Sequence, residues 1–254
     1  MERSDSRLNV AWRSTRRNQR LVHCDGGRTN RGECIVIRLV LLVAQKDLLI
    51  ERRSRVLLWQ VAPFGLMTLV LCGLAVGPNA STQAKLAPGL FYIVMMLVAL
   101  LVINRTSQLE SSRGTATSVQ MLGIDPGAVF LGKGLAMFIQ LSIVGTALLA
   151  GSTVLLHVPL HAGILTLPVL LLATATLSLA GVLYGRIAAS SANAGTLLPA
   201  LALPAFAPVL IAGERAFSSL ITAGPLARWV WLLGIALGAY ACVGLLLYGA
   251  LEES

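Results

Sequence analysis

The chain has 254 residues, of which 56% are hydrophobic and only 12% are charged. A soluble domain carries about twice that charged fraction, and most of the charge here lies before Val56. This distribution excludes an ordinary soluble enzyme and indicates a protein of the lipid bilayer. The net charge of +9 comes mainly from N-terminal arginines and from helix ends, so no nucleic-acid partner is expected.

Two different segments make up the N-terminal part of the chain. Residues 1–34 are rich in arginine and lack helical periodicity, which predicts a disordered basic tail rather than a signal peptide. Residues 35–55 mix apolar side chains with charges too closely to span a membrane, and Leu42 and Leu49 are seven residues apart. This pattern predicts an amphipathic helix in the membrane interface, with an extension of the first span as the alternative.

Six long apolar stretches follow, and a helix needs about 20 apolar residues to cross the hydrocarbon core. They cover residues 56–77, 86–103, 130–150, 162–184, 196–211 and 229–251. The fifth stretch is short and contains Pro204 and Pro208. The sequence therefore predicts an all-α integral membrane protein with about six transmembrane helices, preceded by the interfacial amphipathic helix.

Lysine and arginine are distributed unevenly between the two sides of these spans. Most of them lie before the first span, between the second and third, and just after the fourth. The opposite side has only Lys85, Arg215 and Arg228. Because positive charge concentrates on the cytoplasmic side, both termini are predicted to be cytoplasmic.

Polar residues within the predicted spans are neutral near the middle, such as Gln60 and Gln140. Carriers driven by protons or sodium usually keep ionisable groups or broken helices at that depth. If the protein moves a substrate actively, the sequence indicates that a partner supplies the energy.

The segment from Gly127 to Gly134 matches the phosphate-binding pattern G-x-x-x-x-G-K. However, Gly134 stands where that pattern has a serine or threonine for magnesium, and the segment runs directly into an apolar span. Lys133 is better explained as an anchor that reaches lipid headgroups.

His157 and His161 lie four residues apart in the predicted outer loop and form a candidate outer-face ligand pair. Pro159 between them disfavours a regular helix across both positions, so solvated loop histidines are the favoured interpretation. The spacing of the four cysteines does not match a zinc site, and no metal is expected.

Three pairs of glycines have the four-residue spacing that lets membrane helices approach closely. They are Gly73 and Gly77, Gly181 and Gly185, and Gly234 and Gly238. Each pair predicts a helix contact and nothing more specific.

The longest polar segment after the first span is residues 104–133. It contains in order Glu110, Gly114-Thr115, Asp125-Pro126 and Gly132-Lys133. This order resembles the cytoplasmic coupling segment of ABC-type export permeases, where a short helix contacts the ATPase.

Further segments resemble, in the same order, the CcmB family, the permease subunit of the haem-exporter-type ABC transporter of cytochrome c maturation. They are the AVGP and APG elements within residues 74–105, the basic-acidic element at 45–55, Gly185-Arg186 and the proline-rich run at 198–214. The resemblance covers about residues 40–253. The coupling segment is less acidic here than is usual in the family, and residues 1–34 have no counterpart.

The resemblance implies that residues 35–254 form a non-catalytic permease domain in the bacterial cytoplasmic membrane. The implied partners are a cytoplasmic ABC ATPase, haem-handling membrane subunits and a periplasmic haem chaperone. Haem would be a handled or transported species rather than a resident cofactor. The residues expected to contact the ATPase are Glu110, Arg113, Gly114, Thr115, Ser118, Val119, Met121 and Leu122.

Two other classes of protein fit parts of the pattern. An ABC-2-type export permease for a lipid, drug or glycan would share the landmarks of the coupling segment. A secondary carrier or channel that works without a partner would share only the apolar spans.

Overall fold

The structure is a computed structural model that describes residues 30–54, 60–113, 126–156, 158–189, 194–222 and 224–252. The chain divides into two units, residues 1–38 and 39–254. Only residues 30–38 of the first unit are described, as the beginning of a helix. The predicted disordered tail therefore lies almost entirely outside the described residues and stays a prediction.

Seven helices make up the described part of the chain, which contains no strand. They are α1 (Asn30–Ser54), α2 (Ala62–Val76), α3 (Ala80–Arg113), α4 (Pro126–Leu155), α5 (Leu160–Ala189), α6 (Ala194–Thr222) and α7 (Leu226–Glu252). The helices α3 to α7 each contain a segment long and apolar enough to cross a membrane. The predicted all-α membrane fold is confirmed.

Helix α2 lies within the first predicted span, residues 56–77, of which residues 56–59 lie outside the described residues. It has 15 residues, about 22 Å at 1.5 Å per residue, whereas the hydrocarbon core is about 30 Å thick. Gly77 ends it with a positive φ of 85°, and the Gly77 amide donates to the carbonyl of Leu74. Gln83 Nε2 at the start of α3 donates to the carbonyl of Gly77 at 2.8 Å, which fixes the α2–α3 turn.

Helix α6 corrects the prediction of a short fifth span ending at Ile211. It continues to Thr222 although it contains three prolines, at positions 199, 204 and 208. The helix is held by packing, because its buried hydrophobic residues lie on one face, with Ala202, Phe206, Val209, Ala212 and Ala216 three or four positions apart and Phe217 beside the last of them. Tyr240 Oη of α7 also donates to the carbonyl of Ala205, between the last two prolines.

The longer α6 places an ion pair inside an apolar helix. Glu214 and Arg215 lie within the candidate span Pro199–Thr222, with 3.3 Å between Arg215 Nε and Glu214 Oε2. The expectation of spans without ionisable residues near the middle therefore needs correction at α6. Proline disfavours a helix interior, and in α6 tertiary packing overrides this effect.

Helix α5 occupies the centre of the bundle and packs against α3, α4, α6 and α7. Two glycines make these contacts close, since a Cβ on Gly134 would lie 2.7 Å from Leu179 and one on Gly181 would lie 2.7 Å from Ile103. Ser142 and Thr174 add a hydrogen bond of 3.1 Å between α4 and α5. The interface is thus built from small residues and neutral polar groups, as membrane helix pairs require.

Candidate functional site at the α1 end of the bundle

Most residues predicted to contact an ATPase lie outside the described part of the chain. These are Gly114, Thr115, Ser118, Val119, Met121 and Leu122. Glu110 and Arg113 belong to the last turns of α3, and their side chains are not described. The polar segment 104–133 is helical at both ends, because α3 continues to Arg113 and α4 begins at Pro126. Residues 114–125, between these two helices, lie outside the described residues.

The candidate ligand pair on the outer face is not tested by the described residues. His157 lies outside them, and the backbone of His161 is in the first turn of α5 without a described side chain. Within the described part, no group of three or more His, Cys, Asp or Glu residues is placed to hold a metal ion.

Helix α1 is connected by an ion pair to the end of α3 that leads into the coupling segment. Arg105 Nη1 donates to Glu51 Oε1 at 2.7 Å. The two side chains are only 21% and 12% exposed, so water screens the pair weakly. A charge-assisted bond of this length fixes the position of α1 against α3.

Helix α1 also contacts the beginning of α4, on the other side of the coupling segment. A Cβ built on Gly132 would lie 2.7 Å from Val43 Cβ and 2.9 Å from the backbone oxygen of Val40. Because one of these atoms belongs to the backbone, a larger residue at position 132 would push the helices apart. Helix α1 therefore contacts both helices that flank residues 114–125.

The phosphate-loop pattern at Gly127 to Gly134 is helical throughout. Val129 and Phe130 are buried, and the last two glycines of the pattern make the contacts with α1 and α5 described above. A phosphate loop instead presents backbone amides of a non-helical turn to its ligand. The glycines of this segment serve helix packing.

A narrow cleft, partly open to the outside, lies between α1, α3, α4 and α5. Its charged lining residues are Asp47, Lys133 and Arg186. Gln140 and Thr106 add neutral polar groups, and the remaining lining is apolar or glycine: Ile103, Ala136, Met137, Gly181, Val182 and Gly185. We call this cleft, together with the Glu51–Arg105 pair and the Gly132 contact, the α1 end.

A second polar feature lies where α3 meets α6. Tyr92 is 2% exposed, and its hydroxyl has no hydrogen-bond partner among the described residues. A Cβ on Gly213 would lie 2.7 Å from Tyr92 Oη, so the phenol packs directly against the α6 backbone beside Glu214. Phe91 and Phe217 complete this contact with edge-to-face rings, 5.8 Å between centroids.

Sequence reasoning did not identify the α1 end as one site. It noted Lys133 and Arg186 separately as residues at helix ends, and it did not pair Glu51 with Arg105. The available signal was the acidic residues Asp47 and Glu51 within a basic segment, because an interfacial helix facing headgroups has no need of them.

Taken together, these features define the class of protein. The described helices form a bundle of membrane-spanning helices with charged residues concentrated at one end, which makes this a multi-pass membrane protein.

The comparison with protein families identifies which multi-pass protein it resembles. The family model described as "CcmB protein" matches residues 38–252, so the chain belongs to the CcmB family. It is 31% identical over 186 residues to heme exporter protein B of Paracoccus denitrificans, covering 70% of this chain and 82% of the relative. The protein of the same name from Pseudomonas aeruginosa is 28% identical over 205 residues, covering 77% and 87%.

A third relative, heme exporter protein B of Rhodobacter capsulatus, is 31% identical over 152 residues, covering 60% of this chain and 70% of the relative. The predicted resemblance is thus confirmed. Family and fold together indicate a multi-pass protein of the bacterial inner membrane.

Proposed function

We propose that the chain is the permease subunit of a haem-exporter-type ABC transporter complex that acts in cytochrome c maturation. The observation that supports this most directly is the family match across residues 38–252, together with relatives named heme exporter protein B. In this proposal a separate ATPase subunit hydrolyses ATP, and this chain couples hydrolysis to haem delivery or to release of a haem-loaded chaperone. The chain itself has no catalytic role.

The contacts of α1 support a mechanical form of coupling. Force from an ATPase that docks on residues 114–125 would enter the bundle through α3 and α4. Helix α1 contacts both, through Glu51–Arg105 on one side and Val40 and Val43 against Gly132 on the other. Movement of either helix would therefore be shared with α1, because packed elements transmit displacement as rigid bodies.

The test is a substitution in the short helix predicted within the coupling segment. Proline at Ser118 removes a backbone donor and clashes with the preceding turn, at about 3 kcal/mol in a helix interior. We expect Ser118→Pro to abolish co-purification of an ATPase while the amount of protein in the membrane stays unchanged. The matched control is Ser14→Pro, the same exchange in the basic tail, and His157→Ala and His161→Ala are controls on the outer face.

An ATPase recovered at wild-type stoichiometry with the Ser118→Pro protein would show that the coupling role of this segment is wrong. The partners recovered with the wild type decide between the candidate functions. Haem-handling membrane subunits support the proposal. An ATPase without them supports an ABC-2-type exporter of another substrate, and no ATPase at all supports a carrier or channel.

A further inference from the structure

Gln140 is a polar side chain at the centre of helix α4. The helix runs from Pro126 to Leu155, so Gln140 lies about 21 Å from either end. Its side chain is only 8% exposed, and its amide has no hydrogen-bond partner among the described residues. An amide that is removed from water without a partner is unfavourable, so this amide is a candidate for binding another molecule.

The amide of Gln140 is open to the cleft at the α1 end, which Gln140 helps to line. Among the described residues that are not exposed, the Tyr92 hydroxyl is the single fully enclosed side-chain oxygen or nitrogen without a partner. Gln140 also lacks a partner, yet its amide atoms do not belong to this enclosed class. At least part of the amide is therefore in contact with the open space of the cleft.

The cleft connects Gln140 with the ends of its helices. On α4 the cleft follows one face, because Lys133, Met137 and Gln140 are four and three residues apart. Lys133 lies about 10 Å nearer to the start of α4 than Gln140 does. Arg186 lines the cleft three residues before the end of α5. The lining thus extends from charged positions near helix ends towards the middle of α4.

The size and polarity of the cleft favour water as its occupant. The cleft has a volume of about 40 Å³, and a buried water molecule needs about 10 to 15 Å³, so about three water molecules fit. Water can both donate to and accept from the Gln140 amide, whereas an acyl chain can do neither. Thr106 Oγ1 is a second acceptor in the lining, because its own hydrogen is donated to the carbonyl of Val102 at 2.9 Å. The lining thus offers water the two or more polar partners that a buried water molecule needs.

We propose that this cleft is a hydrated crevice, in which water extends from the α1 end to Gln140 and binds the Gln140 amide. The binding groups are the neutral amide of Gln140 and the hydroxyl of Thr106, so the site does not depend on which partners the charged lining residues have. Water at Gln140 would shorten the apolar path along α4 by about 10 Å. The crevice is independent of the proposed transport function, because water needs neither ATP nor a partner subunit to enter it.

The test compares cysteine accessibility at two neighbouring positions of α4 in phospholipid nanodiscs. The starting protein has serine in place of its four cysteines, Cys24, Cys34, Cys72 and Cys242. Gln140→Cys places a thiol in the cleft, and the matched control Ile143→Cys places one on the exposed outer side of the same helix. The probe is 2-aminoethyl methanethiosulfonate, a small cation that reacts with thiolates. We expect modification of Gln140→Cys to be at least about tenfold faster, because apolar surroundings keep a thiol protonated.

Two outcomes of this comparison would overturn the proposal. Equal rates at positions 140 and 143 would mean that the cleft admits no more water than the outer side of α4 does. Modification of Gln140→Cys by the apolar N-phenylmaleimide, but not by the cationic reagent, would mean that an acyl chain fills the cleft.

Wild-type protein provides a second test that needs no variant. Brief X-ray exposure generates hydroxyl radicals from water, and methionines beside that water are oxidised. Met137 lines the cleft and Met95 does not, although both side chains are buried. We expect Met137 to be oxidised faster than Met95, as measured by mass spectrometry of peptides. Equal rates would overturn the proposal even if the cysteine variants fail to fold.

Discussion

At the scale of single residues, the buried Tyr92 and the half-buried Tyr240 show opposite solutions to placing a hydroxyl within a membrane bundle. Tyr240 Oη donates to the carbonyl of Ala205, in the stretch of α6 where prolines interrupt the helical hydrogen bonds. Tyr92 Oη has no partner within the described residues, although it is fully enclosed beside Gly213. One hydroxyl stabilises a weakened helix, whereas the other carries the free-energy cost of an unpaired polar group.

The two tyrosines make a matched pair of substitutions. Tyr240→Phe should destabilise the protein by about 1 kcal/mol, because the Ala205 carbonyl loses a hydrogen bond. Tyr92→Phe should leave stability unchanged or raise it, since it removes an unpaired buried hydroxyl without changing the ring. Melting temperatures of the purified proteins in the same detergent measure both effects. If Tyr92→Phe lowers the melting temperature more than Tyr240→Phe does, the hydroxyl of Tyr92 has a partner that the structure does not show.

Among the helices, α1 contacts both of the helices that flank the proposed coupling segment. Its contacts with α3 and α4 involve a weakly screened ion pair and a glycine that allows backbone approach. The exposed side of α1 carries Leu41, Leu42 and Leu49, so the predicted apolar stripe is available to lipid. The opposite side, with Val43 and Ala44, packs against the bundle. One side of α1 is thus exposed to lipid, and the other side packs against the bundle.

The ion pair between α1 and α3 can be measured by a double-mutant cycle with Glu51→Ala and Arg105→Ala. Each single change should destabilise the protein by about 2 kcal/mol, because the remaining charge loses a charge-assisted hydrogen bond of 2.7 Å at a mostly buried position. The double variant should be less unstable than the sum of the singles. Thermal unfolding in detergent provides the three differences, and strict additivity would mean that the pair does not hold α1 in place.

The sequence predicted the number and order of these elements better than their ends. Hydropathy identifies a span because the bilayer demands a long apolar run, which is why α3, α4, α5 and α7 were found close to their observed positions. The predicted fifth span ended at Ile211, whereas α6 continues to Thr222, because sequence cannot show the packing that sustains α6. The cleft was missed for a related reason: Asp47, Lys133 and Arg186 are far apart in the chain, and only tertiary structure brings them together.

For the whole molecule, the glycine pairs indicate which helix surfaces pack inside the bundle and which face outward. A Cβ on Gly181 would meet Ile103 and Met137, so this position is part of the packed interior. Gly234 and Gly238 on α7 have no heavy atom within 4 Å of a built Cβ among the described residues. Trp231 and Ile235 beside them are also exposed. The predicted contact of this third pair is therefore absent within the described part of the chain, and this side of α7 faces outward.

The orientation of the whole bundle in the membrane stays a prediction from the distribution of lysine and arginine. A reporter that fluoresces only in the cytosol should be bright when it is fused after Ser254. The same reporter should be dark when it is inserted at Asn79, in the three-residue turn between α2 and α3. The measurement is whole-cell fluorescence normalised to the amount of protein in the membrane. Fluorescence at Asn79 equal to that at Ser254 would reverse the assignment.

The contact between α1 and Gly132 also has a consequence during biosynthesis. Val43 leaves the ribosome well before Gly132, and at about 10 residues per second the interval is about nine seconds. During that time the face of α1 that later packs on α4 has no partner helix. We expect both apolar sides of the nascent helix to contact lipid at the membrane surface. The side that carries Val43 should exchange lipid for α4 only when α4 has been inserted.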